Sequence, residues 1–348
     1  MNLKRFFTAL TLVTVTGLLL FAGLIIYVDP FFHYHAPLSW FPYVVDDQVD
    51  MNPGLARHMD YDSVLLGSSM TVSFDTSWFY EEMGLTTQKL SYNGAYPKDQ
   101  ANIMDIIFDA KGNSIKRVFL GIDELNYSAD TDKTKYPVTD YLYDTNSFND
   151  VKYIFNKDVM LDYVLRPVAD PKDKSDWNMI YKMWWQPMHY NFANVRLYFE
   201  PADEVADQTP VEEYIAGIDD NLNTNILPYI EAHPETEFTV FFPPYSILYW
   251  YNAKRQSQID TIIAKYEFMT KRLLEYDNVN VYFFQNDEKI ITDFNNYADY
   301  THYSPEVCHY IVNCFADGSH RVTADNLEEE LELLAKLAKD YDYDSLDL

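Results

Sequence analysis

The sequence predicts an α/β fold: about five parallel strands with helices between them, preceded by one membrane-spanning helix. Three observations lead there. Short strand-like runs recur at residues 64–66, 88–92, 117–122, 237–242 and 279–284, separated by stretches of helical period. Such strand-helix-strand alternation implies a parallel sheet with right-handed crossovers. An uncharged apolar run, residues 6–28, stands near the N-terminus, and 348 residues suffice for one large domain with a sizeable insertion.

Residues 1–5 carry Lys4 and Arg5 and read as a cytoplasmic stub. The 23 residues of 6–28 contain no charged side chain, and as a helix they span about 34 Å, enough for a hydrocarbon core of about 30 Å. The run exceeds a signal-peptide core and no small-x-small cleavage site follows it, so an uncleaved anchor is expected. Lys4 and Arg5 precede it while Asp29, Asp46, Asp47 and Asp50 follow, which by the positive-inside rule puts the N-terminus inside and the remaining chain outside the cytoplasm. Residues 29–59 form a juxtamembrane segment that opens on an aromatic collar, residues 29–35. Rings at that level commonly sit at the headgroup interface. Asp29, His33 and His35 lack further clustered ligands, so no metal site is assigned. Asn52-Pro53 predicts the start of a short helix that ends near Met59.

The main domain, residues 60–325, begins with the strand Val64-Leu65-Leu66, stopped by Gly67. A helix follows over 75–83 with Gly84 as its stop. The second strand ends in Asn93-Gly94, and Asp99 caps a helix over 100–110 whose apolar face is Ile103, Ile106, Ile107 and Ala110. After the third strand, residues 124–210 lose periodicity and read as an insertion, a length that usually serves a lid or a binding function. Its Trp177, Trp184 and Trp185 suit either a substrate groove or a packed cap. A helix over 211–232 leads to the fourth strand, closed by Pro243-Pro244. A helix over 253–276 leads to the fifth. Residues 326–348 read as an acidic leucine-bearing helix with a fraying tail.

Composition narrows function. Lys and Arg number 26 against 54 Asp and Glu, a net charge of −28, which repels a phosphate backbone and excludes nucleic acid as a partner. A neutral or cationic polymer fits better. The 30 Tyr, 22 Phe and 6 Trp serve either core packing or stacking on flat ligands such as sugars. Cys308 and Cys314 form no metal-type pair; they make either one disulfide in an oxidising compartment or two buried thiols.

The chemistry-bearing residues stand at strand ends, where open α/β sheets bind ligands. A serine hydroxyl becomes a nucleophile when a neutral imidazole takes its proton and a carboxylate fixes that imidazole's tautomer. Gly67-Ser68-Ser69 follows the first strand. Asp299 and His302 follow the last, three residues apart. His309 and His320 have no aspartate at that spacing, and His58, His189 and His233 show no partner in sequence.

With these residues the chain resembles the SGNH (GDSL-like) hydrolase superfamily, whose members place a nucleophilic serine third in a Gly-Asp-Ser type motif and an Asp-x-x-His near the C-terminus. The resemblance covers roughly residues 60–125 and 235–320. It implies a flavodoxin-like three-layer sandwich, Ser69 as nucleophile with Ser68 in the aspartate position, His302 as base and Asp299 as its orienting acid. Asn93-Gly94 falls where the family's oxyanion glycine belongs, making the Gly94 amide the implied donor. Gly121-Ile122-Asp123-Glu124 falls in the place of Gly-x-Asn-Asp, with Asp123 where an oxyanion-binding asparagine would stand. An ionised carboxylate there repels an oxyanion. Either Asp123 is protonated in a desolvated site, or Asn126 or Asn93 supplies the donor, or catalysis is impaired. The chain looks most like the membrane-anchored branch of the superfamily that modifies cell envelopes, which includes polysaccharide O-acetylation and teichoic acid D-alanyl transfer proteins. That likeness implies a serine acyltransferase or esterase acting on O-acyl, chiefly acetyl, groups of an envelope glycopolymer, without a cofactor, beside a membrane-bound O-acyltransferase. The alternatives are a non-catalytic scaffold of the same fold and a glycan-binding partner of such an acyltransferase.

Overall fold

The computed structural model describes residues 3–171, 176–181 and 189–346. Its centre is a six-stranded sheet in the order β2-β1-β3-β4-β5-β6. β1 (Ser63–Gly67), β2 (Thr87–Ser91), β3 (Arg117–Gly121), β4 (Glu237–Phe242) and β5 (Val279–Phe283) are parallel. The expected five parallel strands are present, and β6 (Arg321–Val322) adds an antiparallel edge. Two residues carry no alternation, so β6 left no period to read.

Strands β1 and β2 are buried along their whole length, as a sheet covered on both faces requires. β4 shows the two faces directly. Phe238 packs toward Phe108 of the helix Pro97–Lys111 and Phe242 against Tyr266 of the helix Ile259–Leu273. Phe241, on the opposite face, meets Phe315 of the helix Pro305–Asp317. The result is a three-layer α/β arrangement.

Several helices depart from their expected bounds for local reasons. The helix expected from Asn52 runs Gln48–His58, capped by the Asp47 carboxylate accepting from Asp50 N. Pro53 therefore lies inside it and leaves the Val49 carbonyl without its helical donor; the Tyr143 hydroxyl donates to that oxygen at 3.0 Å. Asp99 sits at the third helical position of Pro97–Lys111 and accepts from Tyr96 N, half of a capping box rather than the cap itself. The helix expected over 253–276 is two, Ile247–Arg255 and Ile259–Leu273, broken where Ser257 takes φ +57°. The segment expected as one helix over 211–232 contains a π-turn, Leu222–Ile226, just before Pro228. The C-terminal helix spans Leu327–Asp340, and the tail after it is anchored: Tyr343 is buried and donates to Ala338 O at 2.7 Å.

The helix Leu3–Val28 is long and apolar enough to cross a membrane. Its last turn is plugged into the domain, with Ile25 and Val28 buried. The collar that follows turns inward. Asp29, fully buried, accepts from the backbone amides of His33, Tyr34 and His35 and from the Tyr153 hydroxyl, while His33 pairs with Asp150 at 3.2 Å. Phe31 and Phe32 are core residues, not headgroup-level rings. Trp177 packs edge-on against Phe32 and Tyr43, as part of a cap rather than a groove wall; Trp184 and Trp185 lie outside the described residues.

The collar meets the helix Gln48–His58 at Gly54, where any Cβ would collide with the backbone carbonyl oxygens of Phe31 and Phe32. Gly54→Ala is expected to cost about 2–4 kcal/mol of stability by forcing apart two backbones. A urea unfolding curve followed by tryptophan fluorescence reads this as a lowered midpoint.

Candidate functional site

The parallel sheet brings the turns after β1, β2 and β3 to one edge, and β1 lies between the other two. This is the topological switch point, where crossovers leave in opposite directions and a crevice opens. Gly67 is needed where the chain leaves β1: a Cβ there would stand 2.5 Å from Thr71 Cγ2. The backbone folds into a 3-10 turn, Ser69–Thr71. Ser68 faces inward; its Oγ accepts from Met70 N at 3.1 Å. Ser69 is half-buried, and its hydroxyl lies 2.9 Å from His302 Nε2.

A buried lysine holds this turn in place. Lys89, in the middle of β2 and 0 % exposed, donates to the carbonyls of Val72 and Phe74 at 2.7 Å each. A lysine inside an otherwise buried parallel strand was the available sequence signal.

Asp299 and His302 come from a short loop closed by the bridge between Tyr297 and Tyr303 and by Ala298 N donating to His302 O. Neighbours fix it from two sides: Asn194 Nδ2 donates to Ala298 O at 2.6 Å, and the Ser246 hydroxyl donates to Tyr300 O at 2.7 Å. Within the loop, His302 Nδ1 donates to Asp299 Oδ2 at 2.6 Å, while the amides of Thr301 and His302 each donate to Asp299 Oδ1 at 2.8 Å. A ring that donates from Nδ1 leaves Nε2 to accept the Ser69 proton. Burial acts to raise the Asp299 pKa, but the His302 bond, its charge and the two amides outweigh that and hold the carboxyl at about 2.

Asp123, just after β3, lies within the same electrostatic neighbourhood. It is buried, accepts from the Tyr245 hydroxyl and bonds the Ser68 hydroxyl. Burial pushes its pKa up; the two hydrogen bonds and the His302 charge oppose this without cancelling it. Glu124 beside it is also buried, bonded by the Tyr249 hydroxyl and paired with Lys265. Tyr245, Tyr249 and Lys265 had no motif to announce them.

Asn93 and Gly94 occupy the turn after β2, which continues the pairing with β1 through Tyr92 N donating to Gly67 O at 2.9 Å. Gly94 takes φ +68°, a left-handed conformation that favours glycine, under the Lys135 side chain. Asn93 is tied to Gln48: its amide N donates to Gln48 Oε1 at 2.7 Å and its Oδ1 accepts from Gln48 Nε2 at 3.2 Å. Asn126 donates to Ala95 O at 2.9 Å, so its side-chain amide is engaged there. A groove of about 720 Å³, lined by Asp46, Asp47, Gln48, Val49, Asn93, Tyr136 and Tyr163, runs to the Asn93 turn.

The other histidines are placed elsewhere. His309 stacks on Trp78, His233 on Phe108, His58 bonds the His33 carbonyl, and His320 bonds Tyr310. Cys308 and Cys314 are free, buried thiols on one helix. Six residues of helix rise about 9 Å, beyond the reach of about 7 Å that a disulfide allows between Cα atoms.

A hydroxyl, an imidazole and a carboxylate in this chain of hydrogen bonds can move a proton from oxygen to ring nitrogen as the oxygen attacks an electrophile. No protein-family model matches the chain, and no curated protein matches it in sequence.

Because the Asp299 pKa falls from about 3.9 in an unfolded chain to about 2, its ionisation stabilises the fold above the unfolded value. That contribution is lost as pH falls through the folded value. The stability gap between wild type and Asp299→Asn, read from urea midpoints, is therefore expected to be full above about pH 4 and to shrink steadily toward about pH 2.

Proposed function

We propose that this chain is a membrane-anchored, extracytoplasmic serine acyltransferase or esterase of the SGNH type, acting on O-acyl, chiefly acetyl, groups of a cell-envelope glycopolymer. The observation that carries this reading is the continuous hydrogen-bond chain from Ser69 Oγ through His302 to Asp299, assembled from residues 233 positions apart in sequence. The acidic surface charge and the tyrosine-bearing groove at Asn93 suit a neutral or cationic glycan.

In this mechanism Ser69 Oγ attacks the acyl carbonyl carbon while its proton passes to His302 Nε2. Asp299, ionised throughout, holds the ring and stabilises the imidazolium. The tetrahedral oxyanion is met by the Gly94 amide and by Asp123, whose burial favours the neutral carboxyl that can donate rather than repel. Collapse expels the first alcohol, which takes the proton back from His302, and leaves the acyl group on Ser69. A sugar hydroxyl or a water, deprotonated by His302, then attacks the acyl-enzyme. Transfer and hydrolysis differ only in that second nucleophile. The positive residues Lys4 and Arg5 before the span and the carboxylates after it support an extracytoplasmic domain, a setting in which a membrane-bound O-acyltransferase can supply the acyl group.

Acyl-enzyme formation from p-nitrophenyl acetate tests the reading. Ser69→Ala and His302→Ala are each expected to lower turnover by ~10⁴-fold or more, Asp299→Ala by less because it orients rather than reacts, and Ser68→Ala by little. Normal turnover in both serine variants would sink the catalytic reading and leave the scaffold of the same fold. Loss in Ser68→Ala alone would move the nucleophile by one residue.

A further inference from the structure

The insertion between β3 and β4 lies against the membrane-length helix. Phe155 stacks on Phe21 with centroids 6.2 Å apart and planes 5° from parallel, and the segments Val151–Ile154 and Val159–Leu165 pack beside the helix Leu3–Val28. Phe21 stands seven residues before the end of that helix, about 10 Å along its axis. A hydrocarbon core of about 30 Å takes about 20 residues, so a span beginning just after Arg5 reaches to about residue 25 and holds Phe21 below the headgroups. Phe155, stacked on it, is carried to the same depth.

The rest of the insertion is shaped for that position. Val159–Leu165 runs directly into Arg166–Ala169. Its inner side, Val159, Met160, Val164 and Pro167, is buried in the domain. Its outer side presents Leu161, Leu165 and Val168, spaced i, i+4 and i+7, at 53, 49 and 58 % exposure. An apolar stripe in that setting marks an interaction surface. Residues 151–169 hold Lys152, Lys157 and Arg166 against Asp158 and Asp162, a cationic balance within a chain of net charge −28. In the last turn of the same helix Tyr27 lies 6.3 Å from Trp40, ring to ring, and both are exposed, the residue types that populate membrane interfaces.

We propose that residues 151–169 form a membrane-seated platform, with Phe155, Leu161, Leu165 and Val168 inserted about 5–10 Å into the leaflet on the domain side. The proposal rests on the helix Leu3–Val28 spanning the bilayer. The domain is then fixed in one orientation on the lipid surface rather than swinging on a tether. Tyr163, on the same segment, lines the groove that ends at Asn93, so the groove opens at the membrane surface.

The test places an environment-sensitive nitrobenzoxadiazole fluorophore on single introduced cysteines of the full chain in phosphatidylcholine/phosphatidylglycerol vesicles; the native thiols are buried. The introduced sites are Leu161→Cys and Leu165→Cys, with Leu19→Cys in the span and Tyr80→Cys on an exposed helix as references. Shallow doxyl-lipid should quench the labels at 161 and 165 and the label at 19, which lies at a similar depth about 9 Å below residue 25, and not the label at 80. Quenching at 19 with water-like emission at both 161 and 165 would overturn the platform while leaving the span intact. No quenching at 19 would remove the span, and the platform with it.

Discussion

The parallel register of β1 between β2 and β3 is the constraint from which the rest of the molecule follows. Because the three strands run the same way, the turns carrying Ser69, Gly94 and Asp123 all leave from one edge of the sheet. The loop with Asp299 and His302 follows β5 and reaches back across that edge to Ser69. A slip of one residue in β1 would turn every one of its side chains to the opposite face. Lys89 and Thr71 guard against that locally: one pins the chain beyond Ser69 by two carbonyls, and the other donates to Ser68 O at 2.9 Å.

Buried charge is handled differently at the two ends of the domain. At the crevice, Asp299 is surrounded by donors and stays ionised, whereas burial pushes Asp123 toward its neutral form. Two carboxyl groups near one imidazole are thereby driven apart in pKa. At the collar, burial also pushes Asp29 up, but here three backbone amides and the Tyr153 hydroxyl converge on the carboxyl. That network joins the end of the helix Leu3–Val28 to the insertion, so the junction between the long apolar helix and the domain is packed rather than loose.

The five parallel strands were legible because each is a short run bounded by turn residues in a sheet covered on both faces. The turn with Ser69 and the loop with Asp299 and His302 were legible because chemistry places such groups at strand ends. Helix bounds were less so. Pro53 reads as a helix start, yet Tyr143, ninety residues on, supplies the missing donor's substitute and lets the helix begin earlier. Ser257 breaks a helix with no glycine or proline to signal it. The insertion hid its order because its helices are short and packed on two sides, against the domain and beside the long apolar helix, so no single period survives. The buried partners Tyr245, Tyr249 and Lys265 are tertiary facts with no local signature.

The central claim is that the Ser69 hydroxyl, and not its neighbour, is the activated nucleophile. Labelling the full chain with a fluorophosphonate and mapping the adduct by peptide mass spectrometry tests it most directly, because the reagent requires an activated hydroxyl but no knowledge of the natural substrate. One phosphonylated peptide is expected, with the modification on Ser69, abolished in the His302→Ala protein. An unlabelled native protein, or an adduct on Ser68, would contradict the account.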